Sequence, residues 1–254
     1  MGLLSSPEGL AARTLRGGFA AWVGGIATYA LIMGIVSASV ASGLSENLRQ
    51  QLEKLGASGT DTPAGFLGFA FLFFVLAISL FGPFQLSAVR EEEAEQRLET
   101  LLAEPVGRRR WLAGRVGLAA AGGAVLALVA GALAWLGAVS AGADVSFARL
   151  LEAGANCLPV ALLFLGLGAL AYALVPRAGV AIAYGLVAVA FLWETIGGLL
   201  EAPSWLLDIS PFHQVALVPA EPFATTPAAV MLLLGLAATV AATAAFRRRD
   251  LTAT

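Results

Sequence analysis

The 254-residue chain has one cysteine, one histidine and little charge, with only 13% of its residues Asp, Glu, Lys or Arg. Each shortage excludes a class of function. A lone thiol, Cys157, forms no internal disulfide, so no cysteine framework reports a redox compartment, and its apolar neighbours mark it as a small buried side chain. With His213 the only histidine, no paired cysteines and no HExxH, a metal hydrolase centre has nothing to be built from. Lysine is nearly missing too: Lys54 stands alone and no GxxxxGK[ST] surrounds it, so the chain has no P-loop for a nucleotide. A balance of 15 bases and 17 acids, formal net charge -2, argues against a nucleic-acid binder, which would carry a basic stripe or patch.

Apolar residues are abundant instead. They make up 59% of the chain, with 29 glycines and a mean hydropathy of +0.84, beyond the range of an ordinary soluble domain. Six stretches qualify as spans of about 30 Å of hydrocarbon: 19–41, 64–86, 111–138, 156–175, 178–200 and 228–245, the last slightly short but within the range of about 17–25 residues. The fold class expected is therefore an all-α integral membrane protein, 1–254 forming a single transmembrane domain. The first run follows Arg13 and Arg16 and is too long for a secretory h-region, so it reads as an anchor that stays in place. Before it, residues 5–17 carry a capping Ser6, Pro7 in the first turn, and Leu10 opposite Arg13 and Arg16, which predicts an amphipathic interfacial helix. Residues 43–62, with Glu46, Arg49, Glu53 and Lys54, read as a solvated helical extension. Alanine and glycine at four-residue spacing, Ala130/Ala134 and Gly117/Ala121, permit close packing in the third span.

Basic residues set the orientation, because cytoplasmic flanks carry an excess of Lys and Arg. With the N-terminus inside, the inner flanks hold Arg13, Arg16, Arg90, Arg97, Arg108, Arg109, Arg110, Arg115, Arg177, Arg247, Arg248 and Arg249. Arg49, Lys54 and Arg149 are left for the outer loops. Both termini are thus expected in the cytoplasm, and residues 87–110 form the large cytoplasmic loop.

That loop concentrates charge. Ala94, Leu98, Leu101 and Leu102 share one helical face, with Glu91, Glu92, Glu93 and Glu95 at its start and Arg108–Arg110 beyond its end. Acids at the start and bases beyond the end suit the helix dipole, and Pro105 stops the helix. The spacing predicts a short amphipathic helix over 91–105. Two readings fit it: a solvated surface helix whose leucines rest on the bundle, or a docking element for a cytoplasmic partner.

"EEEAEQRLETLLAEPVGRRRW" resembles the loop between the second and third spans of ABC-2 type permeases, the membrane subunits of bacterial ABC exporters. The matching positions are Glu92, Leu98, Glu99, Leu101, Leu102, Pro105, Val106 and Arg108, and the departure is Gln96 where the family usually has glycine. The resemblance implies that 91–105 is a coupling helix seated in a groove of a separate ATPase subunit. "FLWETIGGLLEAPSWLLDISPFHQVALVPAEPF" resembles the fifth span and following outer loop of permeases described as exporters of polyketide antibiotics. Those proteins are usually twice this length, and this chain is similar to their C-terminal half. The resemblance implies a six-span permease half in a bacterial plasma membrane, with no ATPase or cofactor of its own. ATP would be bound by ABC ATPase subunits, and the other partners would be membrane lipid and a second six-span half, either identical or a separate protein. The cargo implied is a hydrophobic small molecule, antibiotic-like, drug-like or lipid. A non-transporting scaffold or regulatory subunit docked through 91–105 is the alternative.

Between the fifth and sixth spans, residues 201–227 are too apolar for a free loop, with Trp205, Leu206, Leu207, Phe212, Val215, Leu217, Val218 and Phe223. They are expected to re-enter the outer membrane region, broken at Pro211. Glu194 is the one ionisable residue well inside a span. A carboxylate facing lipid is costly, so it is expected to point inward, with Gly197 and Gly198 one turn on marking a close contact. It is open at this point between a structural pin for Trp205 or the Ser210–Phe212 turn, a polar group on the outer exit of a cargo path with Phe212 and His213, and a side chain snorkelling to the interface. His213 is expected to satisfy a local backbone group or else to meet cargo.

Overall fold

The computed structural model describes residues 16–43, 62–94, 108–200 and 202–248. These form α1 (Arg16–Gly43), α2 (Pro63–Ala94), α3 (Arg108–Ser140), α4 (Phe147–Asn156), α5 (Leu158–Leu174), α6 (Gly179–Leu199), α7 (Ser204–Leu207) and α8 (Thr225–Arg248). There is no strand among the described residues. Six stretches are long and apolar enough to cross a membrane, and the protein is an all-α integral membrane protein. Exposed apolar rows, such as Val189, Leu192 and Ile196 on α6 and Leu233, Leu236 and Val240 on α8, are the surface such a protein presents to lipid.

The fourth span differs from the one expected at 156–175. Helical structure starts at Phe147 and is interrupted at Cys157, giving α4 and α5. Pro159 is the physical reason, since it lacks the N–H that would bond to the carbonyl of Ala155. α4 turns Leu150, Ala153, Gly154 and Asn156 inward and leaves Arg149 and Glu152 toward solvent, joined by an ion pair. Cys157 is fully buried, with its thiol directed at the Ala153 carbonyl. The interfacial helix expected at 5–17 lies outside the described residues except for Arg16 and Gly17, which open α1. The extension expected over 43–62 lies outside them except at its two ends.

α2 runs through the middle of the bundle, touching α1, α3, α4, α5 and α6, and buries Leu67, Phe71, Phe74, Val75, Ile78 and Phe81. Several helix pairs meet at backbone distance, α3 and α4 among them through Gly131 and Gly154. Gly34 of α1 lies against the Ala134 carbonyl of α3, and Gly166 of α5 against the Gly235 carbonyl of α8, where a Cβ at either glycine would strike the oxygen. Such approaches supply van der Waals contact between helices in lipid, where no hydrophobic force drives them together. The small-residue spacing in the third span is thus used on one face only: Ala130 and Ala134 are buried, whereas Gly117 and Ala121 are exposed.

The two ends of the bundle have separate buried clusters. At one end Leu86, Val89, Trp111, Leu112, Tyr172, Val180 and Phe246 pack together, with the Phe246 ring between those of Trp111 (5.9 Å) and Tyr172 (6.3 Å). At the other end, a cap formed by residues 202–224 folds back over α2, α4, α5 and α6.

Candidate functional site

The cap is the most polar assembly described in the protein, and its polar contacts follow from its irregular backbone. Beyond the four residues of α7 the chain makes a series of turns, so carbonyls that a longer helix would satisfy need donors from elsewhere. Neighbouring helices supply them. Trp193 Nε1 of α6 donates to the Leu206 carbonyl (3.1 Å), and Ser210 Oγ of the cap donates back to the Ala190 carbonyl (3.3 Å). From α4, Asn156 Nδ2 donates to the Ala216 carbonyl (2.8 Å), and an Arg149 guanidinium nitrogen to those of Pro219 (2.9 Å) and Glu221 (2.7 Å). Within the cap, Gln214 Nε2 donates to the Asp208 carbonyl, and the Glu221 carboxylate accepts from the Leu217 N–H.

Apolar contacts fix the depth of the cap. Phe212 is 1% exposed, with its ring 5.8 Å from Phe164 of α5 and 5.4 Å from Phe191 of α6. Val218 is buried as well, and Leu217 lies against Gly68 of α2, where a Cβ would approach its carbonyl to 2.6 Å. Trp205 and Ile209 remain exposed.

Glu194 sits five residues before the end of α6, and its Oε1 lies 2.9 Å from His213 Nδ1. Its other oxygen, Oε2, is buried without a hydrogen-bond partner among the described residues. His213 Nε2 in turn lies 3.9 Å from Asp208 Oδ1, within ion-pair range. The structure therefore brings Glu194, Phe212 and His213 into one place. It corrects the expectation for the histidine, whose ring meets a carboxylate and not a local backbone group, because the cap folds back and carries it onto α6. The pin expected of Glu194 also changes partner: Trp205 is not held by it, and the Ser210 turn is tied to the Ala190 carbonyl instead. The close helix contact expected at Gly197 and Gly198 is instead a contact of Gly197 with the cap's own Leu207, whose Cδ2 would lie 2.6 Å from a Cβ there.

At the opposite end, Glu92 falls in the last turn of α2 and Arg108 opens α3. Residues 91–94 continue α2 without a break. Leu98, Glu99, Leu101, Leu102, Pro105 and Val106 lie outside the described residues. Val89 and Leu112 share one buried cluster, so the two helix ends flanking residues 95–107 lie side by side. Arg90, Arg110, Arg115 and Arg177 flank that same cluster in sequence, and the Arg115 guanidinium sits 5.8 Å over the Trp111 ring.

Residues 4–247 match the family described as the multidrug efflux system permease Rv1217c, C-terminal domain. The chain belongs to this family. It is also 31% identical over 252 residues to the multidrug efflux system permease protein Rv1217c of Mycobacterium tuberculosis, an alignment covering 98% of this chain and 46% of that protein. The chain thus spans just under half the length of this curated relative. For an Rv1217c-type domain, the match takes in all six candidate spans, the cap and both bundle ends.

Sequence reasoning missed the α4 clamp. Arg149 was visible only as an outer base, and Asn156 only as the start of a span. The available signal was the spacing of Leu150, Ala153 and Gly154, one apolar helical face that places Arg149 and Glu152 on the other.

Proposed function

We propose that the chain is a six-span permease half of an ATP-driven ABC exporter that moves a hydrophobic small molecule out of a bacterial cell across the plasma membrane. The observation carrying this reading is the family match over residues 4–247, on a bundle with six candidate spans. The cap faces outward and both chain termini face the cytoplasm, a reading supported by the arginines around the Trp111–Phe246 end. The half works with ABC ATPase subunits, which bind the ATP, and with a second six-span half, identical or separate. Closure of the ATPase pair moves the coupling segment, with Glu92, Leu98, Glu99, Leu101, Leu102, Pro105, Val106 and Arg108 at the contact. α2 and α3 carry that movement into the bundle, since both continue directly from the segment's ends. The cavity between the halves then opens outward. Glu194 and His213 line the outer exit, and Phe212, seated between Phe164 and Phe191, closes it.

Co-purification from membranes with a candidate ABC ATPase, followed by ATPase and efflux assays in lipid, tests the reading. A buried leucine contributes roughly 1.5–3 kcal/mol, so the double change Leu101→Asp, Leu102→Asp should lower ATPase capture by at least about tenfold with the bundle still inserted. Undiminished capture sinks the coupling role. Capture with no ATP-dependent movement of any cargo leaves the scaffold reading.

A further inference from the structure

The cap is held on the bundle by two anchorages that differ in kind. On the α4 side, Arg149 and Asn156 donate to the carbonyls of Pro219, Glu221 and Ala216. Guanidinium and amide donors keep their hydrogens at any pH a cell meets, and carbonyls do not titrate, so this side is indifferent to protons. On the α6 side, the Trp193 and Ser210 bonds are also neutral, but the remaining polar tie runs through an imidazole. A carboxylate faces each of its nitrogens: Glu194 lies at 2.9 Å from Nδ1 and Asp208 at 3.9 Å from Nε2. A neutral imidazole has one ring hydrogen, so it turns a donor to one carboxylate and a lone pair to the other. An imidazolium turns a donor to both.

We propose that Glu194, His213 and Asp208 form a proton-operated latch, which holds the turn 208–215 on α6 when His213 carries a proton and loosens when that proton is lost. Histidine is the side chain whose charge changes between about pH 5 and 8. The sign follows from the charges. With its proton the imidazolium faces two carboxylates and the turn is held, and when that proton leaves the ion pairs are lost. No other described charge lies within ion-pair range of His213. α2 over 63–89 has no ionisable side chain, α5 has only Tyr172 in the cluster at the far end, and Arg149 and Glu152 pair with each other near residues 219–221. Glu221 is engaged by the Leu217 N–H. Phe212 adjoins His213 in the chain, so release of the histidine loosens the ring between α5 and α6. If the cap lines an outer exit, which rests on the function proposed above, acid outside holds that exit shut.

The test uses the full chain in lipid nanodiscs, where both faces meet the buffer, so it depends on neither orientation, nor an ATPase, nor transport. Ile209 is 69% exposed and Ala220 is exposed. Nitroxides are placed by Ile209→Cys and, separately, by Ala220→Cys, each in a Cys157→Ala background. Raising the pH from about 5.5 to about 8 should increase the mobile spectral fraction at 209 by roughly twofold or more and leave 220 unchanged. His213→Gln should give the mobile spectrum at 209 at both pH values, and Glu194→Gln should shrink the response. A flat response at 209, an equal response at 220, or a response that survives His213→Gln overturns the latch. Should His213→Gln fail to assemble, the comparison of 209 with 220 in the chain with its native histidine still decides.

Discussion

The two ends of the bundle are closed by opposite means. At the Trp111–Phe246 end the described backbone is helical apart from the short turn 175–178, which bonds within itself, and cohesion comes from three stacked rings with leucine and valine around them. At the cap end the backbone is irregular, and Trp193, Asn156, Arg149 and Ser210 are all engaged with carbonyls. The difference teaches how to read polar residues in so apolar a chain. Where backbone leaves the helix at the edge of the hydrocarbon, its orphan groups must find partners, and side chains able to supply them gather on the facing helices.

If that contrast is right, truncation should damage the two ends separately. The largest effect is expected from Phe246→Ala, which removes the middle ring of the stack. Large-to-small changes of this kind cost about 3 kcal/mol, the lower end of the usual range being apt where an acyl chain can fill part of the gap. Thermal unfolding in micelles should show a midpoint lower by several degrees, while protease sensitivity of the cap stays unchanged. Equal sensitisation of the cap would break the comparison by coupling the ends. Arg149→Ala should do the reverse. It removes two charge-assisted bonds to carbonyls, about 2 kcal/mol after allowance for partial exposure. Proteolysis within 215–222 should then quicken by about tenfold or more, because cleavage follows the opened population, with little change in the global midpoint.

How far these ends were legible in the sequence depended on what each requires. The spans were legible because crossing hydrocarbon demands a continuous apolar run: 178–200 is observed as Gly179–Leu199, and 228–245 lies within Thr225–Arg248. α4 was not, because Arg149 and Glu152 interrupt its apolar run although they share its solvent face. Glu194 was legible as an inward residue from the cost of a carboxylate in lipid. Its partner was not, since His213 is 19 residues on and arrives only when the cap folds back. The leucines of the segment expected to form a coupling helix, 91–105, lie outside the described residues.

A smaller effect should separate the donors within the cap. Asn156 is 6% exposed, and its amide satisfies the Ala216 carbonyl. Asn156→Ala should cost about 1 kcal/mol, the net value of one neutral hydrogen bond, plus any penalty for the orphaned carbonyl. Hydrogen exchange in 214–218 should rise by less than it does in Arg149→Ala. An equal rise would mean that Arg149 gains nothing from its charge.

The smallest effect sharpens the comparison at the level of helix faces. Ala130/Ala134 and Gly117/Ala121 are the same pattern in sequence, small residues four apart on α3, yet only the first pair lies against another helix. A Cβ on Gly117 meets no atom within 4 Å, whereas one on Gly34 would strike the Ala134 carbonyl. Gly117→Ala should therefore leave stability within about 0.5 kcal/mol or raise it by up to about 1 kcal/mol, as alanine is the better helix former. Gly34→Ala should destabilise the bundle, because a backbone oxygen cannot rotate away as a side chain would. Unfolding of the two variants in the same micelles compares them directly. A loss at Gly117 as large as that at Gly34 would place a partner on the exposed α3 face and end its reading as lipid-facing.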